Sequence, residues 1–256
     1  MTSIRNMLAI AGKELRGYFA SPMGYILVGL FALLFGAFFY VYLNQFAEQS
    51  QRMAMGGGNI NVNEFLIRGV FHNVAIIILF VMPLVTMRTY AEEKRSGTME
   101  LLLTSPVTDL EIIVGKFLGA MGLFVAMLLV TAIDIAILFR LGNPELKPVL
   151  TGYLGLLLLG GCFLSLGLFL SSLTKNQIVA GVMTFAVFLM LWIIGWFADS
   201  MSPLGRQVVQ YLSITEHLDD FTKGIIDTKH LVYYLSFITF GLFLTAKSVD
   251  SERWRG

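Results

Sequence analysis

A catalytic or metal centre in this chain would have to be built from three histidines, one cysteine and 17 carboxylates. His72, His217 and His230 follow no metal-ligand spacing. Glu216, His217, Asp219 and Asp220, followed by Phe221, form the one polar cluster able to take a metal or a cationic group. A charge run of this kind reads first as the solvated face of a helix, so no metal is assigned to it. A phosphate-binding loop needs Gly-x-x-x-x-Gly-Lys followed by Ser or Thr, after a strand. Gly115-Lys116 has Leu110 in place of the leading glycine and Phe117 after the lysine, so ATP is expected to bind elsewhere. Nucleophilic or acid–base catalysis needs a nucleophile beside a base, or paired acids in a pocket. The apolar runs offer almost no ionisable groups for either, and the chain reads as a non-enzyme that binds no cofactor or metal. Asp134 is the exception, a carboxylate within an apolar run and hence a functional candidate by default. It stands about one turn from the end of that run, which favours an interfacial residue paired with Arg140.

The elements that carry these residues are set by composition. Of 256 residues, 56% are hydrophobic and only 14% charged, and mean hydropathy is +0.75. Roughly a quarter of a soluble domain is charged, so so few charges could not cover this much apolar surface in water. The apolar residues also come in long runs, and a spanning helix needs roughly 20 of them. Six runs qualify: Met23–Leu43, Phe71–Met87, Gly115–Leu138, Leu150–Leu173, Ile178–Phe197 and Leu231–Thr245. The expected fold is all-α, one polytopic membrane domain over residues 1–256. Lys13, Glu14 and Arg16 interrupt any cleavable leader, so the spans must direct insertion themselves. With the N-terminus in the cytoplasm, the inner loops are short and basic (Arg88, Lys94, Arg95, Lys116, Lys175), while the long segments 44–70 and 198–230 fall outside. No basic stripe invites nucleic acid, and Cys162 alone forms no intrachain disulfide.

Three segments outside the spans hold most of the information. Residues 1–21 carry Ile4, Leu8, Ala11, Leu15 and Tyr18 on one helical stripe, with Ser21-Pro22 as a stop, which reads as an interfacial helix. Between spans two and three, the charged run Glu92-Glu93-Lys94-Arg95 precedes Gly97 and the leucine-rich stretch Thr98 to Thr104, ended by Pro106. Leu101, Leu102 and Leu103 beside charges suit either a partner's groove or the headgroup region. Thr108 and Glu111 are spaced as a capping box opening span three. On the outer side, Ser213 and Glu216 are spaced as a second box. Ile214, Leu218 and Phe221 share a face, Gly224 can follow the helix end, and Asp227 can cap span six. Small residues recur at Gly115, Gly119 and Gly122 and through Gly152, Gly155, Gly160, Gly161 and Gly167, which suits a dimer seam, a sliding gate or packing within one subunit alike.

The stretch MRTYAEEKRSGTMELLLTSPVTDLEIIVGK over residues 87–116 resembles the most recognisable segment of the type-2 ABC exporter permeases. EHLDDFTKGIIDTKHLVYYLS is similar to the segment that enters that family's last span. The resemblance extends over essentially the whole chain and is nearest to the gliding-motility and copper-maturation permeases. It implies that Gly97, Thr98, Glu100, Leu101, Leu102, Leu103 and Thr104 form a coupling helix for a separate ABC ATPase, with Glu92, Glu93 and Arg95 in a charged gate region before it. It also implies two ATPase copies holding ATP and Mg, and a second permease half of the same or another chain. A bacterial inner-membrane location with both termini cytoplasmic follows, and an extracytoplasmic accessory protein is compatible with it. Glu216, His217, Asp219, Asp220 and Phe221 are candidates for an outer-side ligand or gate. The alternatives are a membrane anchor for an ATPase-driven assembly complex and an ion-driven secondary transporter. The latter would need buried ionisable groups, broken helices or inverted repeats.

Overall fold

The computed structural model describes residues 2–56, 61–99, 106–142, 144–200 and 202–253, and all regular structure among them is helical. In chain order the helices are α1 (Thr2–Ala20), α2 (Pro22–Gly56), α3 (Arg68–Thr86, entered through a π turn over Asn63–Ile67) and α4 (Ala91–Ser96). They continue with α5 (Asp109–Leu141), α6 (Leu146–Ser172) and α7 (Gln177–Ile193, leading into a 3-10 turn over Ile194–Ser200). The last are α8 (Pro203–Leu212), α9 (Glu216–Thr222) and α10 (Thr228–Arg253). Six are long and apolar enough to cross a membrane, and they coincide with the six apolar runs. The helices outrun those runs. α2 continues to Gly56, through the first part of what composition reads as a loop. At 1.5 Å per residue its 35 residues span about 52 Å, well beyond a hydrocarbon core of about 30 Å.

Burial divides the bundle. α3 and α6 are its inner pair, and α6 touches α3, α5, α7, α9 and α10. The outer spans turn residues such as Leu33, Ile133, Met190 and Phe240 outward, the natural contact for lipid chains. Two threonine hydroxyls inside the bundle are satisfied locally. Thr86 donates to the Met82 carbonyl at 3.0 Å and Thr184 to that of Ala180 at 2.7 Å, so neither leaves an unmatched polar group in an apolar setting.

α1 departs from the expected stripe. Ile4 and Leu8 remain 67% and 60% exposed, while Met7, Ile10, Ala11, Glu14 and Leu15 turn toward α5. The reason lies in α5: a Cβ on Gly115 would stand 2.7 Å from Ile10 Cβ, and one on Gly119 would stand 2.6 Å from Glu14 Cβ. The missing side chains let α1 lie directly on the start of α5. The glycines of α6 likewise meet side chains of this same chain, among them Phe71, Phe124, Phe221 and Ile238. These small residues therefore serve packing within one subunit.

Asp134 does not pair with Arg140 among the described residues. Its carboxylate instead lies beside α2, 4.0 Å from where a Cβ on Gly36 would stand. Six residues of α-helix turn the chain by about 600°, which leaves the two side chains about 120° apart around the axis.

Candidate functional site

Six crossings bring both ends of the described chain to one face of the bundle, and there the segment after span two is tied to four other elements. Local chemistry shapes it first. Ser171 Oγ of α6 accepts from the Tyr90 and Ala91 amides at 3.1 Å each and donates to the Met87 carbonyl at 3.2 Å. One hydroxyl thus satisfies two of the free donors at the start of α4, which lacks a capping side chain of its own. Gly97, with φ of 74°, ends α4 in the left-handed conformation that glycine adopts without strain. Helical backbone resumes at Thr98 and Met99.

Lys116, in the second turn of α5, is the centre of this face. Its side chain is 1% exposed, and it donates to Glu14 Oε1 of α1 at 2.9 Å, Glu93 Oε1 of α4 at 2.7 Å and the Thr89 carbonyl at 3.2 Å. It also stands 5.1 Å from the centre of the Tyr90 ring. One buried cation thereby joins three helices, and its three donors are all used. Lys94 makes a second tie, to Glu252 Oε1 of α10 at 2.7 Å and to the Ser172 carbonyl. Arg88 and Glu92 pair at 2.9 Å across one turn at the surface. Tyr18 of α1 donates to the Val85 carbonyl at 3.1 Å, and burial pushes its phenol up to about 12. A cavity of about 300 Å³ opens between α1 and this segment, lined in part by Lys13, Glu14, Arg88 and Glu92.

Of the residues assigned to ATPase coupling, Glu93 faces inward onto Lys116, Glu92 and Arg95 are exposed, and Gly97 forms the helix stop. The Thr98 hydroxyl lies 2.9 Å from that of Ser96. Glu100, Leu101, Leu102, Leu103 and Thr104 lie outside the described residues. The capping box at the start of α5 is formed as its spacing requires: Thr108 Oγ1 accepts from the Glu111 amide at 3.3 Å, and Glu111 Oε2 from the Thr108 amide at 2.9 Å. Sequence reasoning missed Lys116, Lys94, Glu14 and Ser171, treating the lysines only as loop charge. The available signal was Lys116 itself, a cation followed at once by a long apolar run.

The opposite face holds the other candidate cluster, and it is not a solvated helix face. Leu218 and Phe221 fill the space left by Gly155 of α6, which draws α9 into the bundle and buries His217 with it. The His217 ring stacks on Tyr233 at 3.7 Å, and its Nε2 is 3.0 Å from the Tyr211 carbonyl. Its Nδ1 is 2.6 Å from Nδ1 of His230, whose Nε2 lies 2.9 Å from Asp220 Oδ2. Asp219 binds Arg68 of α3 at 2.6 Å and Lys223 at 2.5 Å. Burial works against its charge, but the hydrogen bonds from Lys223 and Arg68 outweigh that and hold its carboxyl below the usual range. Glu216 remains exposed. No group of three or more His, Cys, Asp or Glu side chains is placed so that it could hold a metal ion among the described residues. The expected Ser213–Glu216 box is not formed: α9 starts after Thr215 without a side-chain cap, because Ser213 ends α8 and its hydroxyl meets that of Thr215 at 3.1 Å. Gly224, with φ of 84°, follows the end of α9, and Asp227 Oδ1 accepts from the Lys229 amide at 2.9 Å to cap α10, both as read from the sequence.

An all-α bundle of six spans, with an ionic network on the face that carries both chain ends, defines a multi-pass membrane protein. Its family follows from comparison: residues 8–246 match the model of the ABC-2 family transporter proteins, and the chain belongs to that family. It is 25% identical over 154 residues to the probable multidrug ABC transporter permease YbhR of Escherichia coli K12, and equally to YbhR of Escherichia coli O157:H7. Each match covers 59% of this chain and 41% of the relative, so the chain aligns with about two fifths of those proteins.

Proposed function

We propose that this chain is the permease subunit of an ATP-driven exporter and that a separate ABC ATPase drives it through the segment after Gly97. What supports this reading is the buried Lys116 network. Glu93 stands four residues before Gly97 and is tied at 2.7 Å to α5 and through the same lysine to α1. A displacement of the coupling segment is thus delivered to a membrane-spanning helix by a short, desolvated ion pair as well as along the chain through the capped start at Thr108. Lys94 carries the same displacement to α10. In this reading the face with Lys116 is cytoplasmic and both chain ends lie on it. The protein resides in a bacterial inner membrane. Two ATPase copies, which hold ATP and Mg, act on two permease halves, and the α8–α9 end faces outward. That the relatives are probable multidrug permeases makes small-molecule drugs a first class of cargo to assay.

The test is co-expression with an ABC ATPase, a soluble protein with an intact phosphate-binding loop, for which a gene adjacent to this one is the first place to look. Wild type is expected to co-purify with it and to support ATP hydrolysis in liposomes. Leu102→Asp is expected to insert normally and to lose both, because a carboxylate in an apolar groove is strongly disfavoured. Unchanged co-purification of Leu102→Asp would overturn the proposal.

A further inference from the structure

We propose that His217, His230 and Asp220 form a proton-binding site that fastens α8 and α9 onto α10 while an extra proton is held, and that releases them when it leaves. Three contacts run in series: the Tyr211 carbonyl to His217 Nε2 at 3.0 Å, His217 Nδ1 to His230 Nδ1 at 2.6 Å, and His230 Nε2 to Asp220 Oδ2 at 2.9 Å. A carbonyl only accepts, so His217 Nε2 carries a hydrogen. The contact between the two Nδ1 atoms needs a second hydrogen, and the contact to the carboxylate needs a third. Two neutral imidazoles bring only two. The triad therefore holds one proton more, with Asp220 as its counter-charge.

The surrounding charges leave Asp220 free for this role. Arg68 of α3 and Lys223 are both engaged by Asp219, and Lys229 by Asp227 at 3.2 Å. Lys223 is 3.8 Å from the far oxygen of Asp220, and Glu216 points to solvent. Tyr211 from α8 and Tyr233 and Tyr234 from α10 surround the rings, and Cys162 of α6 lies behind Tyr234, 3.5 Å from its carbonyl. Burial, above all, holds His217 below the ordinary histidine range, and the Asp220 carboxylate that balances the extra charge stands at the far ring nitrogen of the pair, 2.9 Å from His230 Nε2. The sign follows. Once the proton leaves, two ring lone pairs face each other at 2.6 Å, or one faces a carboxylate. Either contact is repulsive, so raising the pH unfastens α8 and α9. Histidine is suited to this because its charge changes between about pH 5 and 8.

The experiment uses the full chain in lipid nanodiscs with ¹⁵N-labelled histidine, followed by NMR from about pH 5 to about pH 9. His217 and His230 are expected to move together through one transition that releases one proton, separate from His72. Amide exchange over residues 203–222, corrected for its chemical pH dependence, is expected to rise by about tenfold or more above that transition. Asp220→Asn is expected to move the transition about one unit lower, and His230→Gln to keep exchange high throughout. If His230→Gln fails to insert, Asp220→Asn alone decides. Two rings that stay neutral, that titrate independently, or that titrate without any change in exchange would overturn the proposal, as would a transition unmoved in Asp220→Asn.

Discussion

Replacing Lys116 with methionine keeps an unbranched side chain one atom shorter and removes the charge and three donors. The lysine is 1% exposed, and the carboxylates it serves, Glu14 and Glu93, are 18% and 19% exposed. The substitution therefore leaves two poorly hydrated carboxylates facing one apolar side chain. Removing one partner of a buried ion pair costs about 3–5 kcal/mol, and the remaining hydration of the two glutamates puts the expected loss near the lower end, about 3 kcal/mol. For a chain of this size 1 kcal/mol corresponds to about 2–4 °C, so Tm should fall by about 6–12 °C. Glu93→Gln leaves Lys116 with Glu14 and a neutral acceptor, and should cost about 1–2 kcal/mol. Combining the two changes removes the uncompensated charge at Glu93, so the double variant should be more stable than the sum predicts by about 1 kcal/mol or more. Thermal unfolding of the four proteins in nanodiscs, followed by circular dichroism, reads both quantities. A Lys116→Met protein that melts with the wild type, or a strictly additive cycle, would refute the idea that this lysine joins the three helices.

Gly119→Leu places side-chain atoms where Glu14 Cβ now stands 2.6 Å from the site of a Cβ. Overpacking of this kind costs about 1–3 kcal/mol, so α1 should lift from α5 and trypsin should cut at Lys13 and Arg16 about tenfold faster; unchanged cleavage would argue against the contact. Asp219 is held below the usual carboxylate range, so its ion pairs stabilise above the unfolded value of about 3.9 and are lost as pH falls through the folded one. Arg68 and Lys223 are 39% and 41% exposed, so solvent screening limits the effect to about 1 kcal/mol or less. Asp219→Asn should accordingly flatten the decline of Tm below about pH 4, and identical acid slopes in the two proteins would sink this assignment.

Sequence alone determined what depends on short spacing. The six apolar runs became the six spans because a helix long enough to cross lipid must be apolar over most of its length. The Thr108–Glu111 box, the left-handed Gly224 and the Asp227 cap formed because each involves partners within three residues, whose geometry the helix itself supplies. Where two local motifs competed, as at Ser213, spacing was not enough, because the end of one helix claimed the residue meant to start the next.

The tertiary structure decided everything that joins distant positions. Lys116 meets a glutamate 102 residues away, Lys94 meets one 158 residues away, and nothing in either neighbourhood names its partner. The charge run around His217 has the composition of a solvated face, yet the glycine at 155 in α6 leaves a recess that takes in Leu218 and Phe221 and buries the histidine with them. The glycine stripes likewise specify only that some helix approaches closely. Which helix does so is fixed by the order in which six apolar rods share one interior, since lipid on the outside offers no apolar preference among them.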